Sequence, residues 1–269
     1  EYTYTVESLM YNGVSLQSGT SHYFGQKFSR AYDIKFVNRE NKFDYAYQTS
    51  WGVTTRMIGA LIMVHSDDYG LVLPPKIAPR QVVIIPIKDT LEVNNLANKY
   101  LEELNKNNII SYIDNTNKSA GFKFAEAEVN GIPVRIEIGP RDLENGKVTI
   151  VRRDTREKIE IDVNSDIVSI VNNLMNEIQN NLYNRALERR NKQTYVAHNL
   201  EEMTNIMNEH PGFIKAMWCG NPECETKIKE IKGTKSRCIP FDEEQEHIDD
   251  KCVCCGNPAK EMVVWGIQY

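Results

Sequence analysis

The residues best suited to bind a metal ion are the six cysteines, which all lie late in the sequence, between positions 219 and 255. One pair has the spacing C-x4-C, a second pair has C-x2-C, and the tetrapeptide CGNP occurs once at each pair. Two thiolate pairs of this kind can bind one ion, and four thiolates form a closed, tetrahedral site that is structural rather than catalytic. The predicted zinc ligands are Cys219, Cys224, Cys252 and Cys255.

Two cysteines remain outside this set. Cys238 and Cys254 are interpreted as small buried residues or free thiols, and Cys254 is the alternative to Cys255 as the fourth ligand. Secreted proteins usually spread the cysteines of a disulfide framework through the fold. The late cluster therefore favours a metal site in a reducing compartment, the cytoplasm.

A second candidate site lies in GFKFAEAEVNGIPVRIEIGPRDLENGK, where Glu128, Arg135 and Arg141 surround a turn and a strand. A carboxylate can accept two hydrogen bonds from the Watson–Crick edge of guanine, and arginine can donate to O6, N7 or phosphate. Unpaired bases of an RNA loop expose those edges. An ordinary ion-pair network on a sheet is the alternative, and spacing alone favours it.

Two further stretches combine polar side chains with glycines. In QTSWGVTTRMIG, Gly52 permits a close approach of a ligand to the backbone, and Arg56 lies near a predicted helix start, where its planar guanidinium suits a phosphate. In LQSGTSHYFGQKF, His22 could bond a substrate, and Gln17 and Thr20 could bond a base or an amide. A surface arginine and a structural histidine are the simpler alternatives for these two stretches.

Periodicity divides the elements that must position these residues into successive blocks. Residues 1–80 alternate as strands and include one helix in TTRMIGALIMVH. Residues 81–163 begin with the buried strand VVIIPI and then alternate helices with strands, which predicts an α/β domain. Residues 164–195 contain a long amphipathic helix that connects to the last block, 196–269, in which a helical start precedes the cysteines and a β-like tail.

Size and composition bound the function. A chain of 269 residues with 41% hydrophobic and 26% charged residues predicts more than one folded domain. The net charge of −5 is not typical of a nucleic-acid binder, although a local basic patch can suffice. No apolar run approaches the ~20 residues of a membrane span, and no signal peptide is evident. The absence of an initiator methionine indicates a fragment or a numbered subset of a longer protein.

Several motifs in a fixed order resemble one family. The stretches are LQSGTSHYFGQKFSRAYDIKF, QTSWGVTTRMIGALIMVHSDDYGLVLPPKIAPRQVVIIPI, GFKFAEAEVNGIPVRIEIGPRDL, CVCCGNPAK and a terminal tyrosine. Together they resemble class II prolyl-tRNA synthetases of the archaeal and eukaryotic-like type over almost the whole chain. The resemblance implies a multidomain α/β and α+β fold. Residues 1–80 would be the C-terminal part of an antiparallel-sheet catalytic domain, 81–163 an α/β anticodon-binding domain, and 196–269 a small zinc-binding α+β domain.

The resemblance also implies roles for the residues at matching positions. Gln17, Thr20 and Thr54 would contact ATP or prolyl-adenylate, and Arg56 would act catalytically by holding the γ-phosphate. The proline pocket would be lined by His22, Ser50, Trp51 and Gly52. The residues that read the two guanines of the proline anticodon would be Glu128, Arg135 and Arg141. The four cysteines named above match the zinc ligands, and Tyr269 matches a tail that reaches toward the active site.

The implied function is ATP-dependent activation of proline and its transfer to tRNA-Pro, with magnesium accompanying ATP and with a cytoplasmic homodimer as the full-length enzyme. The first two class II motifs are absent, so this chain alone should not activate proline. Ser66 stands where the family pattern has a glycine. The alternative function is a non-catalytic tRNA-binding fragment or homologue that keeps the anticodon-binding and zinc domains.

Overall fold

The computed structural model describes residues 2–269 and divides into two compact units. One is formed by two separate stretches of chain, residues up to Val64 and residues from Arg189 to Tyr269, and is called the split unit below. The other, His65–Glu188, is called the contiguous unit. The mixed α/β architecture that the sequence predicts is confirmed. Within residues 2–269, no helix has both the length and the apolar character needed to cross a bilayer.

The first stretch of the split unit is built around an antiparallel sheet of three strands, in which β2 lies between β1 and β5. This stretch also contains two helices and the separate hairpin β3–β4. Its elements are β1 (Tyr2–Leu9), β2 (Ser15–Gly25), α1 (Lys27–Ala31), β3 (Lys35–Val37), β4 (Phe43–Tyr45), β5 (Gln48–Val53) and α2 (Arg56–Val64). Helix α2 packs on β2, and the small apolar core between them contains Met10, Leu16 and Ala60. The strand alternation and the helix predicted from TTRMIGALIMVH are both confirmed.

The contiguous unit is a five-stranded mixed sheet covered by helices. Its elements are β6 (Ser66–Asp67), β7 (Gly70–Leu71), β8 (Val82–Pro86), α3 (Leu91–Lys106), β9 (Ser111–Ile113), α4 (Ala120–Val129), β10 (Val134–Ile138), α5 (Pro140–Glu144), β11 (Lys147–Arg152), β12 (Lys158–Asp162) and α6 (Ile167–Lys192), the last of which ends in the split unit. The strand order is β12-β11-β10-β8-β9, with β8, β9 and β10 parallel.

Both faces of this sheet are covered, which explains why VVIIPI reads as one continuous apolar run. Val82 and Ile84 join the larger core with α3 and α6, and Val83 and Ile85 join a smaller core with Ala127 of α4. The strand predicted in GLVLPP is shorter than expected, because only Gly70–Leu71 pair, in a hairpin with β6.

The second stretch of the split unit forms a four-stranded sheet of order β13-β14-β16-β15. Its elements are β13 (Thr194–Val196), α7 (Leu200–Glu209), β14 (Phe213–Trp218), α8 (Pro222–Lys229), β15 (Lys235–Cys238) and β16 (Glu261–Gly266). The helices pack on a core that includes Met203, Ile228 and the fully buried Trp265.

The two stretches of the split unit meet at the start of β2. The backbone N–H of Ser15 donates to Ile267 O at 2.7 Å, and the N–H of Tyr269 donates to Ser15 O at 3.0 Å. Gly13, at φ +75°, lies so close to Pro211 that an added Cβ would sit 1.8 Å from its carbonyl oxygen. Residues almost 200 positions apart therefore pack without space for a side chain.

Candidate functional site

Four thiols converge on one point within the split unit. Cys219 follows β14, Cys224 lies in α8, and Cys252 and Cys255 lie in the turn before β16. All four sulfurs lie within 4.8 Å of one another, and Cys219 Sγ is 3.8 Å from the sulfurs of Cys224 and Cys255. Tetrahedral coordination with Zn–S bonds of about 2.3 Å requires sulfurs about 3.8 Å apart. The cluster could therefore hold a metal ion of that size.

The fifth nearby thiol lies outside this group. Cys254 packs partly buried against the apolar core of the four-stranded sheet, and burial raises the pKa of its thiol. Both CGNP repeats supply a backbone turn, because Gly220 has φ +84° and Gly256 has φ +71°, a region that residues with a Cβ rarely adopt. Within the first repeat, Asn221 caps α8 by accepting from Glu223 N at 2.9 Å.

The backbone around the cluster favours a thiolate at one position. Burial raises the pKa of Cys252, but hydrogen bonds from the backbone N–H groups of Cys255 and Cys254 outweigh it, and the pKa falls to about 7. Burial and the neighbouring thiols raise the pKa of Cys224 instead. Four crowded sulfurs cannot all lose their protons without a compensating cation, so the donor set suits a divalent ion.

Five of the residues predicted to bind proline or ATP lie on one face of the three-stranded sheet. Thr20 lies opposite Gly52, and His22 lies opposite Ser50, in the β2–β5 register. Directly opposed residues of antiparallel strands share a face, and the face changes with each residue. Trp51 therefore lies on the other face, where 78% of its surface is exposed.

An irregularity in β2 decides where Gln17 points. Val6 pairs with Gly19 but Glu7 pairs with Gln17, so Ser18 is an extra residue in β2. Such a bulge reverses the alternation, and it places Gln17 on the same face as Thr20 although their separation of three residues would otherwise put them on opposite faces. The Ser18 carbonyl also accepts from Thr54 N at 3.4 Å, which ties the bulge to the start of α2.

Arg56 begins α2, and its side chain is exposed. His22 is held by a hydrogen bond of 2.8 Å between its Nδ1 and Thr3 Oγ1. Tyr269 lies against the β1–β2 turn, where its hydroxyl accepts from Asn12 Nδ2 at 2.8 Å.

In the contiguous unit, Arg135 lies between two carboxylates on the sheet face that α4 covers. Its Nε donates to Glu137 at 2.9 Å, its Nη1 donates to Glu128 at 3.1 Å, and its guanidinium stacks 4.7 Å from the centre of the Phe124 ring. Arg135 is only 6% exposed, and Glu137 only 5%. The network that spacing alone favoured is thus present, and the structure brings Glu128 and Arg135 together.

Arg141 is not part of this network. Arg135 is the second residue of β10, whereas Arg141 lies in α5 beyond the other end of the strand, exposed. The chain advances about 13 Å between Arg135 and Gly139 at strand geometry. The three residues predicted to read the two guanines therefore lie at two ends of β10, with Glu128 and Arg135 near one end and Arg141 beyond the other.

A polar cleft lies at the carboxyl ends of the parallel strands β8 and β9. Its volume is about 530 Å³, and its polar lining includes the amides of Asn94, Asn98, Asn115 and Asn117 and the ammonium groups of Lys118 and Lys123. In open α/β sheets, this edge is the usual place for a ligand. These residues are not among those predicted from the sequence, although the polar run DNTNK directly after the strand IISYI was an available signal.

The charges in the cleft are held in place. Lys123 is 7% exposed and donates to Asp114 O at 2.8 Å. Burial raises the pKa of Asp114, but hydrogen bonds from Thr116 and the nearby lysines outweigh it, so the pKa is lowered and the carboxylate stays ionised at neutral pH. Amides together with charged donors and an acceptor can bond the polar edges of a nucleobase.

Comparison with known proteins adds two family models. Residues 200–269 match the model "Prolyl-tRNA synthetase, C-terminal", and residues 81–174 match "Anticodon binding domain".

Curated relatives match along nearly the whole chain. A proline–tRNA ligase of Ruminiclostridium cellulolyticum is 51% identical over 99% of this chain and 55% of its own length. Proline–tRNA ligase 2 of Bacillus cereus is 53% identical over 99% of this chain and 56% of its own length. The chain thus spans about half the length of the curated relatives it matches.

A solved structure has the same fold. Prolyl-tRNA synthetase from Cryptosporidium parvum, complexed with L-proline and AMP, matches all of this chain and 58% of its own, with a TM-score of 0.90 and 36% identity. The anticodon-binding model covers the sheet of the contiguous unit, and the C-terminal model covers the four cysteines. Residues 81–174 therefore match an anticodon-binding domain and residues 200–269 match the C-terminal domain of prolyl-tRNA synthetases, in a chain that is similar to proline–tRNA ligases along 99% of its length.

Proposed function

We propose that the chain is part of a proline–tRNA ligase, which activates proline with ATP and transfers it to tRNA-Pro. The observation that carries this proposal is the identity of 51–53% with proline–tRNA ligases along 99% of the chain. The whole enzyme's activity requires more than the residues described here, since the relatives are nearly twice as long.

Activation takes place on the face of β2 and β5. Gln17, Thr20 and Thr54 contact the adenosine part, and Arg56 binds the γ-phosphate of ATP, whose magnesium arrives with the nucleotide. The proline pocket involves His22, Ser50 and Gly52 on that face, whereas the side chain of Trp51 lies on the opposite face of β5. The likeness to a protein complexed with L-proline and AMP supports this assignment.

Proline's carboxylate attacks the α-phosphate, pyrophosphate leaves, and a tRNA hydroxyl later takes the prolyl group from the adenylate. The residues of this chain contribute position and charge, because the polar face aligns the two reactants and the guanidinium of Arg56 stabilises negative charge on the phosphates.

Recognition of tRNA is assigned to the contiguous unit, at the edge with the polar cleft. Splayed anticodon bases would enter the cleft and bond the amides of Asn94 and Asn117, while the exposed Arg141 reaches the guanines or the backbone. Arg135 and Glu128 are assigned a structural role, since the buried guanidinium already has two carboxylate partners, Glu137 and Glu128. Their proposed part in anticodon reading is to hold α4 against β10.

The metal is assigned as zinc with a structural role. Four thiolates leave no open coordination position, so the ion joins α8, the turn before β16 and the end of β14 rather than acting on substrate. The fit of the sulfur spacing to a tetrahedron supports zinc. All six cysteines are free thiols, which agrees with a cytoplasmic location, and the complete enzyme is proposed to be a homodimer.

The test is proline-dependent exchange of pyrophosphate into ATP, measured on the complete gene product together with aminoacylation of tRNA-Pro. Exchange with proline alone among the amino acids is expected. Arg141→Ala should raise the KM for tRNA about tenfold, the effect of one lost charged contact, and leave exchange unchanged. Exchange that depends on another amino acid would refute the proposal, and tRNA binding without any exchange would establish a non-catalytic tRNA-binding protein.

A further inference from the structure

The candidate adenylate residue Gln17 is connected to the four-stranded sheet through a series of partly or fully buried polar side chains. Its Nε2 donates to Thr5 Oγ1 at 3.2 Å, and the Thr5 hydroxyl donates to Glu7 Oε1 at 3.0 Å. Glu7 Oε2 accepts from Ser15 Oγ at 2.7 Å and lies 3.7 Å from Arg237 Nη1. The side chains of Glu7 and Arg237 are only 8% and 7% exposed.

Two irregular strands make this connection possible. In β15, Ser236 pairs with Trp265 and Cys238 pairs with Val264, so Arg237 is an extra residue. In β2 the extra residue is Ser18, and this bulge brings Glu7 and Gln17 opposite each other. Bulges redirect side chains, and here both of them are needed for Arg237 and Gln17 to reach the same carboxylate network.

The direction of the hydrogen bonds fixes what Gln17 presents. The Thr5 hydroxyl has one proton, for which Glu7 Oε1 at 3.0 Å and Gly19 O at 3.4 Å are both acceptors, so the hydroxyl oxygen accepts from the Gln17 amide. One N–H of the amide is thereby engaged, which leaves the amide oxygen free to accept from a ligand and the second N–H free to donate. An acceptor there suits the amino group of adenine or a ribose hydroxyl.

We infer that Arg237 is a positioning residue for the nucleotide site, which acts through Glu7 and Thr5 to fix the orientation of the Gln17 amide. This inference rests on the proposed function for the role of Gln17. It assigns to β15, in the region that matches the C-terminal family model, an indirect part in ATP recognition by residues near the start of the sequence. Without the guanidinium, Glu7 is a buried carboxylate with a missing cation, and it can rotate or recruit water.

The experiment compares Arg237→Ala, Arg237→Lys and Gln17→Ala in the complete gene product, with Lys235→Ala as the matched control on the same strand, because Lys235 is exposed. Pyrophosphate exchange gives separate KM values for ATP and proline, and metal content is measured on each variant. Arg237→Ala and Gln17→Ala should each raise the KM for ATP about tenfold, the scale of one lost charged or oriented hydrogen bond. The KM for proline and the metal content should stay unchanged, and Arg237→Lys should recover part of the loss.

The double variant Arg237→Ala/Gln17→Ala decides the route. If Arg237 acts through Gln17, the double variant has the KM for ATP of Gln17→Ala alone, because coupled residues are not additive. Multiplied effects, an equal rise in the KM for proline, or loss of metal overturn the inference and indicate a general structural role.

Hydrogen exchange separates the failure of this inference from the failure of the proposed function. Arg237→Ala should speed exchange of the β1 and β2 amides around Thr5 and Gln17, and Lys235→Ala should not. If Gln17→Ala leaves the KM for ATP unchanged, the proposed role of Gln17 in binding the adenylate is wrong, whatever the hydrogen exchange shows. If Gln17→Ala raises the KM for ATP but Arg237→Ala changes neither this KM nor the hydrogen exchange, Gln17 keeps its proposed role and the inference about Arg237 is wrong.

Discussion

The buried charges around Arg135 give the sharpest prediction for stability. Arg135→Met replaces the guanidinium by an apolar side chain of similar length and leaves Glu137, which is 5% exposed, without its nearest cation. Lys158 remains, with its Nζ 3.7 Å from Glu137 Oε2. Glu128 is also released, but 21% of its side chain is exposed and water can replace part of the lost bond.

The size of the effect follows from these contacts. Removal of one partner of a buried ion pair costs about 3–5 kcal/mol, because the other charge stays buried. Because Lys158 remains and water reaches Glu128, Arg135→Met should lower the free energy of unfolding by about 3 kcal/mol, the lower end of that range. In Arg135→Met/Glu137→Gln the stranded charge is gone, so the double variant should recover about half of the loss.

The free energy of unfolding is measured by urea titration at pH 7. Faster hydrogen exchange of the β10 amides would show that the loss of stability lies in this sheet. Lys147→Met is the control, since Lys147 and Glu160 form an exposed pair on β11 and β12, and the expected change is below about 0.5 kcal/mol. Aminoacylation should fall while pyrophosphate exchange is spared. A loss no larger than the control's, or a double variant as unstable as the single one, refutes the reasoning.

Three further outcomes are expected. Elemental analysis should find about one zinc per chain. A thiol reagent should react with two of the six cysteines before the zinc is chelated and with all six afterwards, and six reactive thiols at the start would contradict the metal site. Gly13→Ala should destabilise the split unit by about 2 kcal/mol or more in a urea titration, because the added Cβ would meet Pro211. The control is Gly146→Ala, which has a positive φ but open space around it and should cost about 1 kcal/mol. Equal losses would show that contact with Pro211 is unimportant. Burial raises the pKa of Asp154, but Arg152 and Asn181 outweigh it and hold that pKa below its usual range, so its contribution to stability is present above pH about 4 and is lost as pH falls. Asp154→Asn should therefore flatten the acid side of the stability profile, and an unchanged profile refutes this link.

Much of the fold follows from periodicity. The run VVIIPI and the amphipathic stretch before Lys192 correspond to β8 and α6, because burial on two faces or on one stripe leaves a direct pattern. The cysteine spacing likewise predicts a four-thiol cluster. It leaves open whether Cys254 or Cys255 contributes, since adjacent residues differ only in where the turn at Gly256 directs them.

The site depends on features that no periodic pattern carries. Gln17 and Thr20 share a face only because Ser18 is an extra residue, and one extra residue in a strand leaves no mark in composition. The separation of Arg135 from Arg141 follows from the end of β10 at Ile138, and strand ends are the least predictable part of a sequence. The pairing of Arg135 with Glu137 is easier to predict from the sequence, because residues i and i+2 of a strand lie on one face.

The joining of Ser15 to Ile267 has a consequence for synthesis on the ribosome. The contiguous unit is complete in the nascent chain once residue 188 has emerged, so its buried apolar strands can be covered early. The first strands of the split unit must wait for partners that follow 252 residues after Ser15, a delay of roughly 10–50 s at ordinary rates of translation. During that interval Glu7 lacks the guanidinium of Arg237 and Gly13 lacks its contact with Pro211, so we expect β1 and β2 to reach their final packing only after the last residues have been made.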